Sequence, residues 1–146
     1  MTIFNYYQVT DKIASSGQPT ESEFYDISEK KYAVIINLAM PDHTKSIANE
    51  GSIVTSLGMR YIHIPVPFDS PSENDFLIFS KFMDSLKEEN VWIHCIVNAR
   101  VSAFLFRYLQ VSRGFSADEA RTPILKKWLP KMDDVWKKFI SKGSGF

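Results

Sequence analysis

The run Tyr32-Ala33-Val34-Ile35-Ile36-Asn37-Leu38 constrains this chain most. It is continuous rather than alternating, rich in β-branched side chains and too short for an ordinary helix, which predicts a parallel strand buried on both faces. Such a strand needs helices above and below it, and the flanking sequence supplies them. Lys12 to Thr20 reads as a strand entering a Gly/Pro turn, and Thr20 with Glu23 makes a capping box for a helix carrying Phe24 and Ile27. Ser46 to Leu57 reads as a helix with Ile47, Val54 and Leu57 turned inward, Gly51 as its weak point and Gly58 as its end.

Tyr61 to Val66 is a further strand, closed by Pro65, Pro67 and Pro71. Ser72 or Asn74 caps an amphipathic helix running to about Lys87, with Phe76, Phe79, Phe82, Met83 and Leu86 at helical spacing. Val91 to Ile93 is a short buried strand, followed by a loop and an apolar helix from about Ser102 that ends at Gly114. Ser116 with Glu119 opens a short helix, Thr122-Pro123 marks a break or a new first turn, and Asp133 to Ile140 makes a terminal amphipathic helix. Met1 to Gln8 fits an edge strand or a short helix.

Strands alternating with helices predict an α/β fold: one mostly parallel sheet flanked by helices, with ligands at the carboxyl ends of its strands. The expectation is a single domain over residues 1–146, with 1–10 peripheral and 143–146 a flexible tail.

Formal net charge is +0, so nucleic acid and acidic membranes are not expected partners, and any anion selectivity must be local. The lysines from Lys126 to Lys142 read as solvated helix faces. With one cysteine the chain has no internal disulfide and no multi-cysteine metal site. No signal-like N-terminus and no membrane-length apolar run is visible, and a lone free thiol suits a reducing cytoplasm.

That cysteine sits where it matters. In Val91-Trp92-Ile93-His94-Cys95-Ile96-Val97-Asn98-Ala99-Arg100-Val101-Ser102 a strand hands over to a helix through a tight loop. The first amides of a helix have no intrahelical acceptor, and its dipole adds positive potential there, so the junction is an anion site. The same field favours a thiolate over a thiol. Arg100 adds a planar fork of donors matched to phosphate oxygens. Cys95 therefore reads as a phosphate-ester nucleophile, with the amides of Ile96, Val97, Asn98, Ala99 and Val101 completing the nest. His94 reads as a structural histidine bonding backbone around the loop. Ser102 reads either as the helix N-cap or as a hydroxyl donor to the thiolate.

The stretch resembles the His-Cys-x5-Arg-Ser/Thr signature of the cysteine-based protein tyrosine and dual-specificity phosphatases. It differs in having four residues between Cys95 and Arg100, Val101 at the family's arginine position, and Asn98 in place of the mid-loop glycine. Ser102 keeps the family's hydroxyl spacing. Asn tolerates a left-handed backbone better than most residues, which suits that substitution. Ser16-Gly17-Gln18-Pro19, Val34 to Leu38, and Tyr61 to Val66 followed by an acid resemble corresponding stretches of small atypical bacterial and fungal members.

The resemblance implies a phosphatase fold and metal-independent hydrolysis of phosphomonoesters without a cofactor, on phosphorylated protein or a small aryl phosphate. It also implies a general acid, for which Asp69 fits the family position, with Asp75 and Asp42 as the other candidates. Phe68 and His43 would line the cleft. Two other readings stay open: a phosphatase-like module that binds phosphorylated ligands with little or no turnover, and a rhodanese-like sulfur transferase.

Overall fold

The computed structural model describes residues 2–142, so the tail expected over 143–146 lies outside the described residues. Five strands, β1 (Tyr7–Gln8), β2 (Ile13–Ser16), β3 (Val34–Asn37), β4 (Arg60–His63) and β5 (Val91–His94), form one sheet in the order β1-β2-β5-β3-β4. The β1 strand pairs antiparallel at the edge, and the other neighbours are parallel. The helices are α1 (Glu21–Glu29), α2 (Glu50–Ser56), α3 (Glu73–Ser85), α4 (Ala99–Ser112), α5 (Ala117–Ala120), α6 (Pro123–Trp128) and α7 (Asp134–Ser141), with a 3-10 turn at Leu129–Lys131 between the last two.

The expected α/β architecture is present, and the period-two geometry of strands explains how one apolar run serves two cores. On one face Ile13, Val34, Ile36, Val91 and Ile93 pack with Phe76, Phe79 and Met83 of α3, with α4 and with the C-terminal helices. On the other face Ala14, Ile35 and Trp92 pack with Ile3, Phe24, Ile27, Val54 and Met59. Helix α4 is buried from Ala99 through Leu109 because it lies between the sheet and helices α3 and α5 to α7.

Capping follows local chemistry. Thr20 with Glu23 and Ser116 with Glu119 form reciprocal capping boxes, Ser72 rather than Asn74 caps α3, and Thr122 caps α6 with Pro123 in its first turn. Boundaries shift where side chains compete with the backbone. The helix expected from Ser46 begins only at Glu50, because the Ser46 hydroxyl donates to the Met40 carbonyl at 2.7 Å and its amide to His43. The strand expected to reach Val66 ends at His63. The amides of Ile64 and Val66 still donate to Asn37 and Leu38, while Pro65 has no N–H to give.

Register places Ser16, His94, Asn37 and His63 side by side, so polar residues end four adjacent strands at the carboxyl edge of the sheet. The cysteine loop leaves from the middle of that row.

Candidate active site

Strand β5 ends at His94, Cys95 follows, and α4 begins at Ala99, earlier than the sequence led one to expect. The early start comes from Asn98, whose φ of 67° turns the chain directly into the helix. Its buried side chain donates to the Asn5 carbonyl at 2.8 Å and to Ser15 Oγ at 3.0 Å, and accepts from Ser102 Oγ at 3.1 Å. Ser102 is thus neither the N-cap nor a donor to Cys95: Asn98 occupies the N-cap position, and the Ser102 hydroxyl holds Asn98.

The loop carbonyls are all tied on the outside. The Cys95 carbonyl accepts from His94 Nδ1 at 3.0 Å and that of Ile96 from the Gln18 amide at 3.0 Å. The Val97 carbonyl accepts from Asn5 Nδ2 at 2.9 Å and Trp128 Nε1 at 3.2 Å, and that of Asn98 from the Ser102 amide at 3.3 Å. By contrast, no protein acceptor among the described residues takes the amide of Ile96, Val97, Asn98, Ala99, Arg100 or Val101. Carbonyls bound outward leave consecutive N–H groups for an anion, reinforced by the dipole of α4. Gly17 permits this packing: a Cβ there would lie 2.5 Å from the Ile96 carbonyl oxygen.

Asn98→Gly keeps the left-handed turn but loses three side-chain hydrogen bonds, whereas Asn98→Ala also meets the steric cost of φ near 67°. Glycine is expected to cost about 1–3 kcal/mol and alanine about 1 kcal/mol more, read from urea unfolding midpoints.

Behind the loop lies a polar network that sequence reasoning missed. His94 is fully buried, and its Nε2 lies 2.7 Å from Oε2 of Glu50, itself only 3% exposed at the start of α2. Glu50 Oε1 accepts from Gln18 Nε2 at 2.8 Å. Burial opposes ionisation of Glu50, but the bond and charge from His94, with the bond from Gln18 and the nearby Tyr61 hydroxyl, outweigh it and hold the carboxyl below its ordinary range. Asn37 Nδ2 donates to the Tyr61 hydroxyl at 2.9 Å, and Asn37 Oδ1 accepts from the Ala39 amide at 2.8 Å, which carries the network to the next loop. Desolvation raises the Tyr61 phenol well above its usual range.

Above the loop is a cleft of about 590 Å³ walled by Met40, Asp42, His43, Phe68, Ile96, Val97 and Arg100. The Arg100 guanidinium is buried, donates through Nη1 to the Val66 carbonyl at 2.9 Å and sits 5.5 Å from the Phe68 ring centroid. It thus bridges the cysteine loop to the loop between β4 and α3. Asp42, His43 and Phe68 are brought to the same cleft as Arg100. Asp69 is exposed on the β4–α3 loop next to Phe68, outside that wall, and Asp75 lies in the first turn of α3. Cys95 has no exposed surface and is not itself part of the cleft wall, although the next residues, Ile96 and Val97, are. Trp136 Nε1 donates to the Phe68 carbonyl, so the C-terminal helices hold both loops, Trp128 one and Trp136 the other.

Among the described residues no group of three or more His, Cys, Asp or Glu is placed to hold a metal ion. No described helix is long and apolar enough to cross a membrane.

The mostly parallel five-stranded sheet flanked by helices is the fold of the cysteine-based protein tyrosine and dual-specificity phosphatases, and solved structures with that fold superpose on this chain. A DUF442 protein from Shewanella putrefaciens CN-32, provisionally named a phosphatase, matches with a TM-score of 0.88 and 28% identity over 99% of this chain and 93% of that one. The core catalytic domain of the PP-IP phosphatase SIW14 from S. cerevisiae, in complex with citrate, matches with a TM-score of 0.75 and 14% identity over 97% and 86%. TpbA from P. aeruginosa, in complex with pTyr, matches with a TM-score of 0.69 and 15% identity over 95% and 82%. No protein-family model matches the chain, and no curated protein matches it.

Proposed function

We propose that this chain is a metal-independent phosphomonoester hydrolase of the protein tyrosine or dual-specificity type, acting on phosphorylated protein or a small aryl phosphate. The observation that carries this reading is the loop around Cys95, with its carbonyls anchored outward and the amides of Ile96 to Val101 without protein acceptors. In the proposed reaction the phosphoryl oxygens rest on those amides and on Arg100, where charge spreads in the transition state. Cys95 Sγ attacks phosphorus, the P–O bond to the leaving group breaks, and a carboxylic acid protonates the departing oxygen. Water then cleaves the S–P bond and releases inorganic phosphate. Asp69 fits the acid by its place in the chain, and Asp42 by its place on the cleft wall. The aromatic face of Phe68 beside Arg100 suits an aryl ester.

One observation favours a second reading. Cys95 has no exposed surface, and a loop closed over its thiol describes a module that holds phosphorylated ligands without turning them over. Hydrolysis of p-nitrophenyl phosphate in EDTA across pH 5 to 8 separates the two. The enzyme reading expects turnover inhibited by orthovanadate, and loss of the basic limb of the rate profile in whichever of Asp69→Asn and Asp42→Asn removes the acid. Phosphate or vanadate binding without turnover would establish the second reading instead.

A further inference from the structure

His94 is caught between two acceptors. Its Nδ1 faces the Cys95 carbonyl at 3.0 Å and its Nε2 faces Glu50 Oε2 at 2.7 Å. A neutral imidazole carries one N–H and one lone pair, so it can satisfy only one of these and must set its lone pair against the other. The doubly protonated ring donates to both. An imidazolium with no exposed surface needs a fixed counter-charge, because burying a lone charge is far costlier than burying a paired one.

Glu50 is built for that role. It is buried, Gln18 from the turn before α1 donates to its carboxylate at 2.8 Å, and Tyr61 from β4 lines the same pocket, so it is held in place out of water with its carboxyl favoured in the ionised form. The other titratable groups near the pair are the Tyr61 phenol and His63, which line the same pocket as Glu50, and the thiol of Cys95. From α1 the ring meets the uncharged ring of Phe24 in an edge arrangement, centroids 5.9 Å apart. None of these supplies a second negative charge to the ring at neutral pH unless Cys95 is the thiolate.

We propose that Glu50 is a positioning residue of the Cys95 loop: it keeps His94 as the imidazolium, whose second proton ties the Cys95 carbonyl outward and whose charge lies one residue from the sulfur. The consequence for catalysis rests on the reading of Cys95 as the nucleophile. The carboxylate sits on the far side of the ring, so its removal deprives the loop of an anchor and the thiolate of a neighbouring positive charge. Glu50→Gln is isosteric and keeps an oxygen able to accept from a neutral ring, but it no longer compensates the second proton.

The test has two independent arms. Long-range proton–nitrogen NMR at pH 7 should show both His94 ring nitrogens protonated in the wild type and a single neutral tautomer in Glu50→Gln. Against p-nitrophenyl phosphate, Glu50→Gln should lower kcat about tenfold and move the acidic limb of kcat/KM to higher pH, while a merely structural role would leave that limb in place. A neutral His94 in the wild type overturns the proposal, even if Glu50→Gln fails to fold, and so does a variant whose ring stays charged. A ring that loses its charge in the variant while the wild type hydrolyses nothing upholds the pairing and overturns the hydrolase reading instead.

Discussion

Cys95→Ser is expected to lower p-nitrophenyl phosphate hydrolysis by about 10⁴-fold or more, and Arg100→Ala by about 10²–10³-fold, in single-turnover assays at the wild-type optimum. The first loss follows from the role of nucleophile proposed for Cys95. A serine hydroxyl is a far weaker nucleophile than a thiolate, and the intermediate it would form cannot stand in for the one proposed on sulfur. The second follows from geometry. Arg100 is buried in the cleft wall with Nη1 fixed on the Val66 carbonyl and with Nε among the buried groups that lack a protein partner. A guanidinium held in that way presents a pre-oriented charge to the equatorial oxygens of a phosphoryl group.

Arg100→Lys keeps the charge but not the planar fork, and should recover only part of the loss. Because Arg100→Ala also leaves the Val66 carbonyl without its donor, circular dichroism must accompany the kinetics. Full activity in a folded Arg100→Ala protein would sink the role of a four-residue loop arginine.

What the sequence made legible was local. Capping boxes at Thr20 and Ser116, the buried run at Val34–Asn37 and the strand–cysteine–helix junction all arise within a few residues, where propensity and hydrogen bonding are nearly self-contained. What stayed hidden depends on long-range approach. Nothing in the residues around Glu50 marks it, because its partner His94 lies 44 positions away. Asn5 lies 92 positions from the Val97 carbonyl it holds, in a segment with no periodicity to flag it. Trp128 and Trp136 each spend an indole N–H on a loop carbonyl at the cleft, contacts that span 31 and 68 positions and leave no local mark in the sequence. Spacing alone offers Ser102 as a cap or a hydroxyl donor, whereas the left-handed turn at Asn98 takes the N-cap position and the Ser102 hydroxyl donates to its side chain.

Phe104→Ala should cost about 3–5 kcal/mol of unfolding free energy and lower the melting temperature by about 10 °C, measured by calorimetry. Phe104 is fully buried in α4 and stacks on Phe139 with centroids 4.9 Å apart. It also meets Phe76 and Phe79 edge to face at 5.9 and 5.6 Å, and leans on Trp136 at 6.5 Å. Truncation removes those contacts and leaves a cavity that four rigid rings cannot collapse into. That is a large share of the roughly 5–15 kcal/mol that holds a domain together. The effect should also reach the site through a defined route. Trp136 packs against this cluster and holds the Phe68 carbonyl, so the β4–α3 loop loosens, while the cysteine loop keeps its anchors in Asn5, Gln18 and His94. Below its lowered melting point, Phe104→Ala should therefore bind phosphate nearly as the wild type does and turn over the ester more slowly. Equal losses in binding and turnover would place the support for both loops in one cooperative unit instead.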